Sequence, residues 1–231
     1  MSSKKIFYDQ YVSGDEKQVE LPLLFRLLRK FEIHRYDAIR NLIPRLKKHS
    51  VMDIGCGSGE FLRKNEDLWS QAIGVDIIPE IIDEAKKKSN RNKFSYKVYN
   101  PNDVRLPFPD ETFSLVVSIA TLQYVEDLDN LFLKVHKVLN KDGIFIFEVP
   151  NFLVFWRRVQ LFFGIFPHTS LFQSGWDGGV LHYFSYNKTR KFAENKNFDV
   201  VSMCSSGIFS KQRNILPSLL GANMIVVCQK K

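Results

Sequence analysis

The stretch Val51-Met52-Asp53-Ile54-Gly55-Cys56-Gly57-Ser58-Gly59 runs from an apolar strand pattern into a loop with glycine at every second position. Glycines at this spacing let the backbone turn tightly and let a ligand approach it closely, and a helix N-terminus with outward-pointing N–H groups follows. A dinucleotide-binding loop of the G-x-G-x-x-G type needs glycine at position 60, where Glu60 stands. The spacing therefore favours a nucleoside-like cofactor over a dinucleotide.

Two acidic residues accompany this loop. Asp53 lies two residues before the first glycine, where a carboxylate repels a pyrophosphate and attracts a cation. Asp76 ends the next strand pattern, about twenty residues after the loop, where an acid can accept both hydrogen bonds of a ribose diol. The two acids together predict a cationic nucleoside ligand at the carboxyl ends of two neighbouring strands.

The pattern around the loop predicts an α/β fold. From residue 50 onward, short β-rich runs alternate with amphipathic runs, which is typical of βαβ units and a mainly parallel sheet. The predicted strands are 50–54, 72–77, 94–99, 115–120, 143–149, 198–205 and 222–228, and the predicted helices are 60–68, 79–88, 128–139 and 188–194. One or two helices are expected over 21–48. We therefore divide the chain into an N-terminal helical extension (1–49), which could complete a lid, and a main domain (50–231).

The loop and its two acids resemble the motif of class I S-adenosylmethionine-dependent methyltransferases. Residues 103–113, DVRLPFPDETF, resemble the D-x-x-x-L-P-F-x-D-x-x-F signature of the same family. The resemblance implies a doubly wound, Rossmann-like seven-stranded sheet of order 3-2-1-4-5-7-6 with the last strand antiparallel. It also implies S-adenosyl-L-methionine as the cofactor and methyl transfer as the reaction.

The resemblance assigns the cofactor contacts. Asp76 would hold the ribose, and Asp103 with Val104 would frame the adenine; the copy is one residue short after the acid, which leaves Asn102 as the alternative to Asp103. The methionine portion would lie over the glycines, opposite the end of strand four. The full set of expected contacts is Asp53, Gly55, Cys56, Gly57, Gly59, Asp76, Ile77, Asp103, Val104, Ser118 and Ile119.

Transfer to an oxygen or nitrogen acceptor calls for a base near the sulfonium, and histidine is the usual choice near neutral pH. His182 is the candidate, because it begins the last helical unit; a structural histidine is the alternative. Tyr124 occupies the position where many relatives carry histidine, and it is the second catalytic candidate. The expected acceptor contacts are Gln123, Asn151, Trp156 and Tyr183. No histidine pair has metal-ligand spacing with an acid, so no metal is expected.

An aromatic-rich insertion is predicted after strand five, over 150–186. Its segment 152–166 combines aromatic and cationic residues in a run too interrupted to span a bilayer. Three interpretations remain open: a cover over the acceptor pocket, a membrane-surface or lipid-acceptor element, and a face for a protein partner.

A narrower resemblance concerns the residues after strands four and five. Thr121-Leu122-Gln123, Pro150-Asn151-Phe152 and Trp156-Arg157 look like the corresponding residues of MetW-like proteins of methionine biosynthesis. This resemblance implies an alternative function, in which the chain binds the cofactor and activates a partner acyltransferase.

Composition limits the remaining possibilities. The chain has 231 residues, a net charge of +8 and 3 cysteines, which are too few and too far apart for a disulfide framework and fit a reducing cytoplasm. No signal peptide and no apolar run of roughly 18 residues is present, so membrane contact would be peripheral. Nucleic-acid methylation is disfavoured because no N-P-P-Y tetrad follows strand four. We expect a methyltransferase acting on a small-molecule or glycan- or lipid-linked acceptor.

Overall fold

The computed structural model describes residues 32–44, 49–90, 92–103, 106–165 and 182–231. Its strands are β1 (Glu32–Ile33), β2 (His49–Ile54), β3 (Trp69–Asp76), β4 (Phe94–Val98), β5 (Phe113–Ile119), β6 (Leu139–Pro150), β7 (Phe198–Cys204), β8 (Gly207–Ile208) and β9 (Asn223–Lys230). Its helices are α1 (Arg35–Leu42), α2 (Glu60–Lys64), α3 (Pro79–Lys88), α4 (Leu128–Val138), α5 (Phe155–Phe162), α6 (Tyr186–Asn195), α7 (Ser210–Arg213) and α8 (Pro217–Leu220), with 3₁₀ turns at Glu66–Leu68 and Leu122–Tyr124.

Seven strands form one sheet in the order β4-β3-β2-β5-β6-β9-β7. The strands from β2 to β6 pair in parallel, and β9 runs antiparallel to both of its neighbours. Numbered within this sheet alone, the order is 3-2-1-4-5-7-6, as the resemblance implied. The order reverses at β2 and β5, and in open α/β sheets the crevice at the carboxyl ends beside such a point is where ligands bind.

The core lies on both faces of the sheet. Alternation along β2 sends Met52 to one face and Val51 and Asp53 to the other. Met52 packs in a cluster that includes Phe132 of α4, while Val51 packs in a second cluster that includes residues of α1, α2 and α3. The carboxyl group of Asp53 therefore faces the side that α1–α3 cover.

The helices begin and end where local chemistry requires. Helix α3 has Pro79 in its first turn and Lys86, Lys87 and Lys88 in its last turn, where positive charge complements the helix dipole. Helix α4 starts at the N-cap Asp127, whose side chain accepts a hydrogen bond from the next turn. These two helices match the predicted helices to within one residue.

Two sequence predictions need correction. The helix predicted over 60–68 ends at Lys64, where the side chain of Asn65 donates to the Phe61 carbonyl (2.8 Å) and a 3₁₀ turn follows. The helix predicted over 21–48 is wrong at β1, which pairs with β8 in a separate two-stranded sheet. Two-residue strands carry no readable periodicity, so the sequence could not reveal them.

The insertion after β6 begins with α5. The remainder of the insertion from 166 to 181 lies outside the described residues, as do 1–31 of the N-terminal extension and Val104 of the predicted cofactor contacts. In the described part of the chain, every helix is too short or too polar to cross a bilayer.

Candidate active site

The glycine loop after β2 is shaped by two close contacts and one opening. A Cβ atom on Gly55 would lie 2.1 Å from the Thr121 hydroxyl, and one on Gly59 would lie 2.5 Å from the Tyr96 hydroxyl. A Cβ on Gly57 would meet nothing within 4 Å. All three glycines have positive φ, which side chains disfavour. The fold therefore needs the first and third glycines, while the second borders open space.

The loop amides are bonded within the fold. The amides of Gly55 and Cys56 both donate to the Val75 carbonyl (2.8 and 3.0 Å), and the amide of Gly57 donates to Asp76 Oδ2 (3.0 Å). These bonds tie the loop to β3. For these residues, the loop offers a ligand its shape and its close approach rather than its N–H groups.

Asp76 ends β3 beside the loop. Its Oδ1 accepts from the Ile78 amide (3.1 Å) and its Oδ2 from the Gly57 amide, so the carboxylate is held at both oxygens. Burial raises the pKa of Asp76, and the amide hydrogen bonds oppose that rise. Each carboxylate oxygen has a second acceptor position, which leaves capacity for the two hydroxyls of a ribose. Ile77 follows directly and is half-buried.

Asp53 is buried, and its Oδ1 accepts no hydrogen bond in the described part of the structure. Burial and, to a smaller extent, the negative charge of Asp76 together raise the pKa of Asp53 to about 8. Every second side chain of a strand points to the same face of the sheet, so Asp53 shares the face of Val51, and Asp76 shares the face of Ala72. Val51 and Ala72 pack in the same cluster. Asp53 and Asp76 therefore point to the same face. A buried carboxyl with an unpaired oxygen fits a cationic ligand, because the cation stabilises its ionised form.

Lys134 of α4 donates hydrogen bonds to the loop after β4, and this role was not predicted from the sequence. This buried residue donates from Nζ to the carbonyls of Pro101 and Asp103 (both 2.6 Å) and to the Tyr99 hydroxyl (3.2 Å). Burial lowers the pKa of Lys134. The signal was available, because Lys134 follows Leu131 at helical spacing and so falls on the apolar face of α4.

The predicted adenine contacts differ in exposure. The side chain of Asp103 is exposed, while Asn102 is half-buried and its Oδ1 accepts from the Glu126 amide (3.1 Å). Asn102 therefore ties this loop to the segment before α4. Asp103, in contrast, is exposed, and its carboxylate faces solvent.

Ser118, Ile119 and Cys56 lie close to the loop. The buried Ser118 hydroxyl donates to the Ile54 carbonyl (3.0 Å), which joins β5 to β2. Ile119 ends β5 and is half-buried. Cys56 is buried, and that burial raises the pKa of its thiol well above the usual range. Ser118 thus acts within the fold, and Ile119 lies at the strand end.

Three predicted acceptor-side residues meet at the turn after β5. Gln123 is buried, and its Oε1 is unpaired in the described residues. The amide of His182 lies 3.3 Å from the Gln123 carbonyl, and His182 Nε2 lies 2.7 Å from the Val125 carbonyl. Because a carbonyl only accepts, Nε2 carries the hydrogen and Nδ1 is left to take a proton. Tyr124 lies between Gln123 and Val125 in the sequence and is half-buried.

Asn151 has a structural environment. Its Nδ2 donates to the carbonyls of Ser218 (3.1 Å) and Gly221 (2.8 Å), and its Oδ1 accepts from the Leu153 amide (3.1 Å). The side chain is fully buried. Both amide hydrogens are therefore used, and the side chain presents no exposed surface to an acceptor.

Trp156 and Tyr183 flank the same region. Trp156 Nε1 is buried and unpaired in the described residues, and the guanidinium of Arg213 lies 5.6 Å from its ring centre. Tyr183 is half-exposed and packs edge-on against Phe152, with ring centres 4.2 Å apart. Tyr183 thus directly follows His182, which contacts the turn that holds Gln123, whereas Trp156 packs against Arg213 of α7.

Glu148 of β6 is a third carboxylate on the face of Asp53 and Asp76, and the sequence reading missed it. Its Oε1 accepts from Asn223 Nδ2 (2.7 Å), and Arg35 of α1 lies 3.5 Å from Oε2. A lone acid in the apolar run Ile144–Val149 was the available signal.

Residues 52–147 match the family described as "Methyltransferase domain". The chain is 27% identical over 132 residues to the ubiquinone biosynthesis O-methyltransferase of Pelagibacter ubique, which covers 56% of this chain and 53% of that protein. It is also 34% identical over 96 residues to the mitochondrial arginine hydroxylase of Rattus norvegicus, and this alignment covers 42% of this chain and 27% of that protein. Each alignment therefore spans only part of the relative's length.

A solved structure shares the fold across nearly the whole chain. It is the magnesium protoporphyrin IX methyltransferase from Synechocystis with bound SAH, with a TM-score of 0.68 and 13% identity, covering 99% of this chain and 100% of that one. The chain thus has the fold of this methyltransferase, and its residues 52–147 are similar to a methyltransferase domain.

Proposed function

We propose that this chain is an S-adenosylmethionine-dependent methyltransferase that methylates an oxygen or nitrogen atom of a small-molecule or glycan- or lipid-linked acceptor. The observation that carries the proposal is the glycine loop after β2, beside Asp76 at the end of β3. There the buried carboxyl of Asp53 has an unpaired oxygen, and Gly57 borders open space. The matched methyltransferase domain spans the same residues.

The residues around this loop fit the parts of the cofactor. When bound, S-adenosylmethionine supplies an electrophilic methyl group on a positively charged sulfur. Asp76 would accept hydrogen bonds from the ribose, and Asp53 would provide negative charge facing the cation. The loop that Lys134 supports would border the adenine.

The acceptor side needs a positioned nucleophile more than it needs covalent chemistry. Placing that atom about 3 Å from the methyl carbon, with water excluded, lowers the barrier by up to about 7–11 kcal/mol. His182 would take the acceptor's proton on Nδ1 while Nε2 stays bonded to the Val125 carbonyl. Gln123, with its unpaired Oε1, would orient the acceptor, and Tyr124 is the second candidate for the proton transfer.

The alternative MetW-like function, activation of a partner acyltransferase, receives no support from the relatives named above and stays a prediction.

Because one of these relatives is named an arginine hydroxylase, the experiment must identify the chemical change in the product. Methyl transfer adds one carbon and two hydrogens to the acceptor, whereas hydroxylation adds one oxygen. Mass spectrometry of a modified acceptor separates the two.

Cofactor binding is tested first by titrating labelled S-adenosylmethionine and its demethylated product against the protein. Asp76→Ala removes the ribose acceptor and should weaken binding by about 1–3 kcal/mol, or roughly fivefold to 150-fold. Asp83→Ala is the matched control, because Asp83 lies exposed on α3 and pairs only with Lys86 among the ion pairs of the described residues. Equal affinity of a folded Asp76→Ala variant would reject the ribose placement.

The acceptor is sought with labelled methyl donor and fractions of metabolites, glycolipids and proteins. Label should appear in one fraction with the wild type and disappear with Asp76→Ala. Label in no fraction, together with co-purification of an acyltransferase, would favour the accessory function.

A further inference from the structure

Helix α5 distributes its side chains opposite to the usual surface helix. Arg157, the cation at its centre, is 4% exposed, and its Nη1 donates to the Asn151 carbonyl (2.9 Å). Its guanidinium carbon lies 5.1 Å from the Phe152 ring centre. Surface helices normally bury their apolar side and expose their charges. In α5 a charged side chain points inward, so the apolar side chains are left to point outward.

The outward side of α5 is strongly apolar. Phe155, Phe162 and Phe163 are 53%, 85% and 71% exposed. At 3.6 residues per turn, Phe155, Val159 and Phe162 lie on one side of the helix. We call this surface the α5 face; its exposed members are Leu153, Phe155, Val159, Leu161, Phe162, Phe163 and Ile165. Contiguous exposed apolar surface of this kind marks a protein or membrane contact.

The charged side chains of α5 and α7 are all positive. Residues 149–165 contain no acid, and neither do residues 200–231. Arg158 on α5 and Lys211 on α7 are exposed, and the stacking of Arg213 on Trp156 brings α7 alongside α5. Two copies of such a face would bring like charges together, which is unfavourable. An anionic surface complements both the apolar side chains and the cations.

We propose that the α5 face docks on a lipid bilayer that contains anionic lipid. Phenylalanine side chains would enter the boundary between headgroups and acyl chains, while Arg158 and Lys211 contact lipid phosphates. Docking is peripheral and reversible. It goes beyond the proposed methyl transfer and does not depend on it, but it would bring the end of β6, from which α5 extends, to the membrane surface.

The test measures co-sedimentation of the cofactor-free protein with phosphatidylcholine vesicles, with and without phosphatidylglycerol. Wild type is expected to bind the anionic vesicles at least about tenfold more tightly, with affinity falling as salt rises. The double variant Phe162→Asp/Phe163→Asp should lose about tenfold or more, because two aromatic side chains leave the interface. Leu133→Asp, at a 49% exposed position on α4, is the matched control and should bind like wild type.

A second variant separates charge from apolar contact. Arg158→Gln/Lys211→Gln should weaken binding to anionic vesicles and flatten its salt dependence, with circular dichroism unchanged. The proposal is overturned if wild type ignores anionic vesicles, or if the Phe162/Phe163 variant binds as well as wild type. It is also overturned if the same variant abolishes self-association while vesicle binding is absent, because the face would then join two copies. Cofactor titration on the same samples reports the proposed methyltransferase function separately.

Discussion

Replacing Asp53 by asparagine should stabilise the cofactor-free protein near pH 8 and weaken cofactor binding. The carboxyl is buried, its Oδ1 is unpaired in the described residues, and burial with the charge of Asp76 raises its pKa to about 8. Asparagine keeps the shape of the side chain and has no charge to desolvate. The same residue thus opposes folding when ionised and favours a cationic ligand.

The pH dependence of stability follows from this pKa. An aspartate in the unfolded chain titrates near about 3.9, so between about pH 4 and pH 8 the folded state holds a proton that the unfolded state has released. The free energy of unfolding therefore falls as pH rises through this window, by up to about 1.4 kcal/mol per pH unit. Below the window the contribution of Asp53 is fully present, and above it the loss is complete. Asp53→Asn should remove this slope.

Cofactor affinity should change in the opposite direction. At pH 7, one unit below the pKa, ionising Asp53 costs about 1.4 kcal/mol, so binding that needs the carboxylate should tighten about fivefold between pH 7 and pH 8 and about tenfold in all before it levels off above about pH 9. Titration calorimetry in buffers of different ionisation enthalpy would detect the proton released on binding. The cofactor's own amino group titrates with both proteins, so the difference between wild type and variant isolates Asp53.

Urea unfolding across pH 5–8 gives the stability profile of each protein. The reasoning would be refuted by a folded Asp53→Asn variant with the wild-type slope in unfolding free energy. It would be refuted equally by a variant that binds the cofactor as tightly as wild type at pH 8.

Three further outcomes are expected. Gly55→Ala should destabilise the protein by several kcal/mol, since its Cβ would collide with Thr121, whereas Gly57→Ala should cost only about 1 kcal/mol of backbone strain yet weaken cofactor binding; urea unfolding and cofactor titration separate the two. Lys134→Met should lower the free energy of unfolding by about 1–3 kcal/mol, because the buried Tyr99 hydroxyl and two partly buried carbonyls lose their donor, and should also weaken binding of the adenosine portion in titrations. His182→Gln retains a donor for the Val125 carbonyl but no base, so kcat should fall by about 10²–10⁴ with cofactor affinity unchanged.

The sheet and the cofactor side could be predicted because their signals are local. The loop 55–59 follows its strand directly, and Asp76 ends the next strand, so both were placed by counting along the chain. Strand bounds shifted by only a few residues, as at β6, which starts at Leu139 rather than at 143. Parallel topology then brings the strand ends to one edge without further information.

The parts that the sequence could not give depend on long-range contacts. Nothing near Gly55 indicates that Thr121 fills the space of a side chain there, and nothing near Asn151 reveals that its amide holds the carbonyls of Ser218 and Gly221. Asn151 looked like a polar residue at a strand end, which is a typical ligand position. Its hydrogen-bond partners lie about seventy residues away, so only the fold discloses them.

The inverted pattern of α5 illustrates the same limit. The sequence shows aromatic and cationic residues over 152–166, but it does not show which of them are buried. Apolar residues lie on more than one side of a helix built from this segment, so the pattern does not indicate which side packs against the fold. The burial of Arg157 against Phe152 decides which side faces out.

A crystal structure of the full chain with S-adenosylhomocysteine tests the central claim most directly. The account predicts both ribose hydroxyls within hydrogen-bonding distance of the Asp76 carboxylate and the homocysteine portion lying over Gly57, with Asp53 facing it. Density for the compound elsewhere on the molecule, or a crevice closed by side chains at saturating compound, would contradict the account.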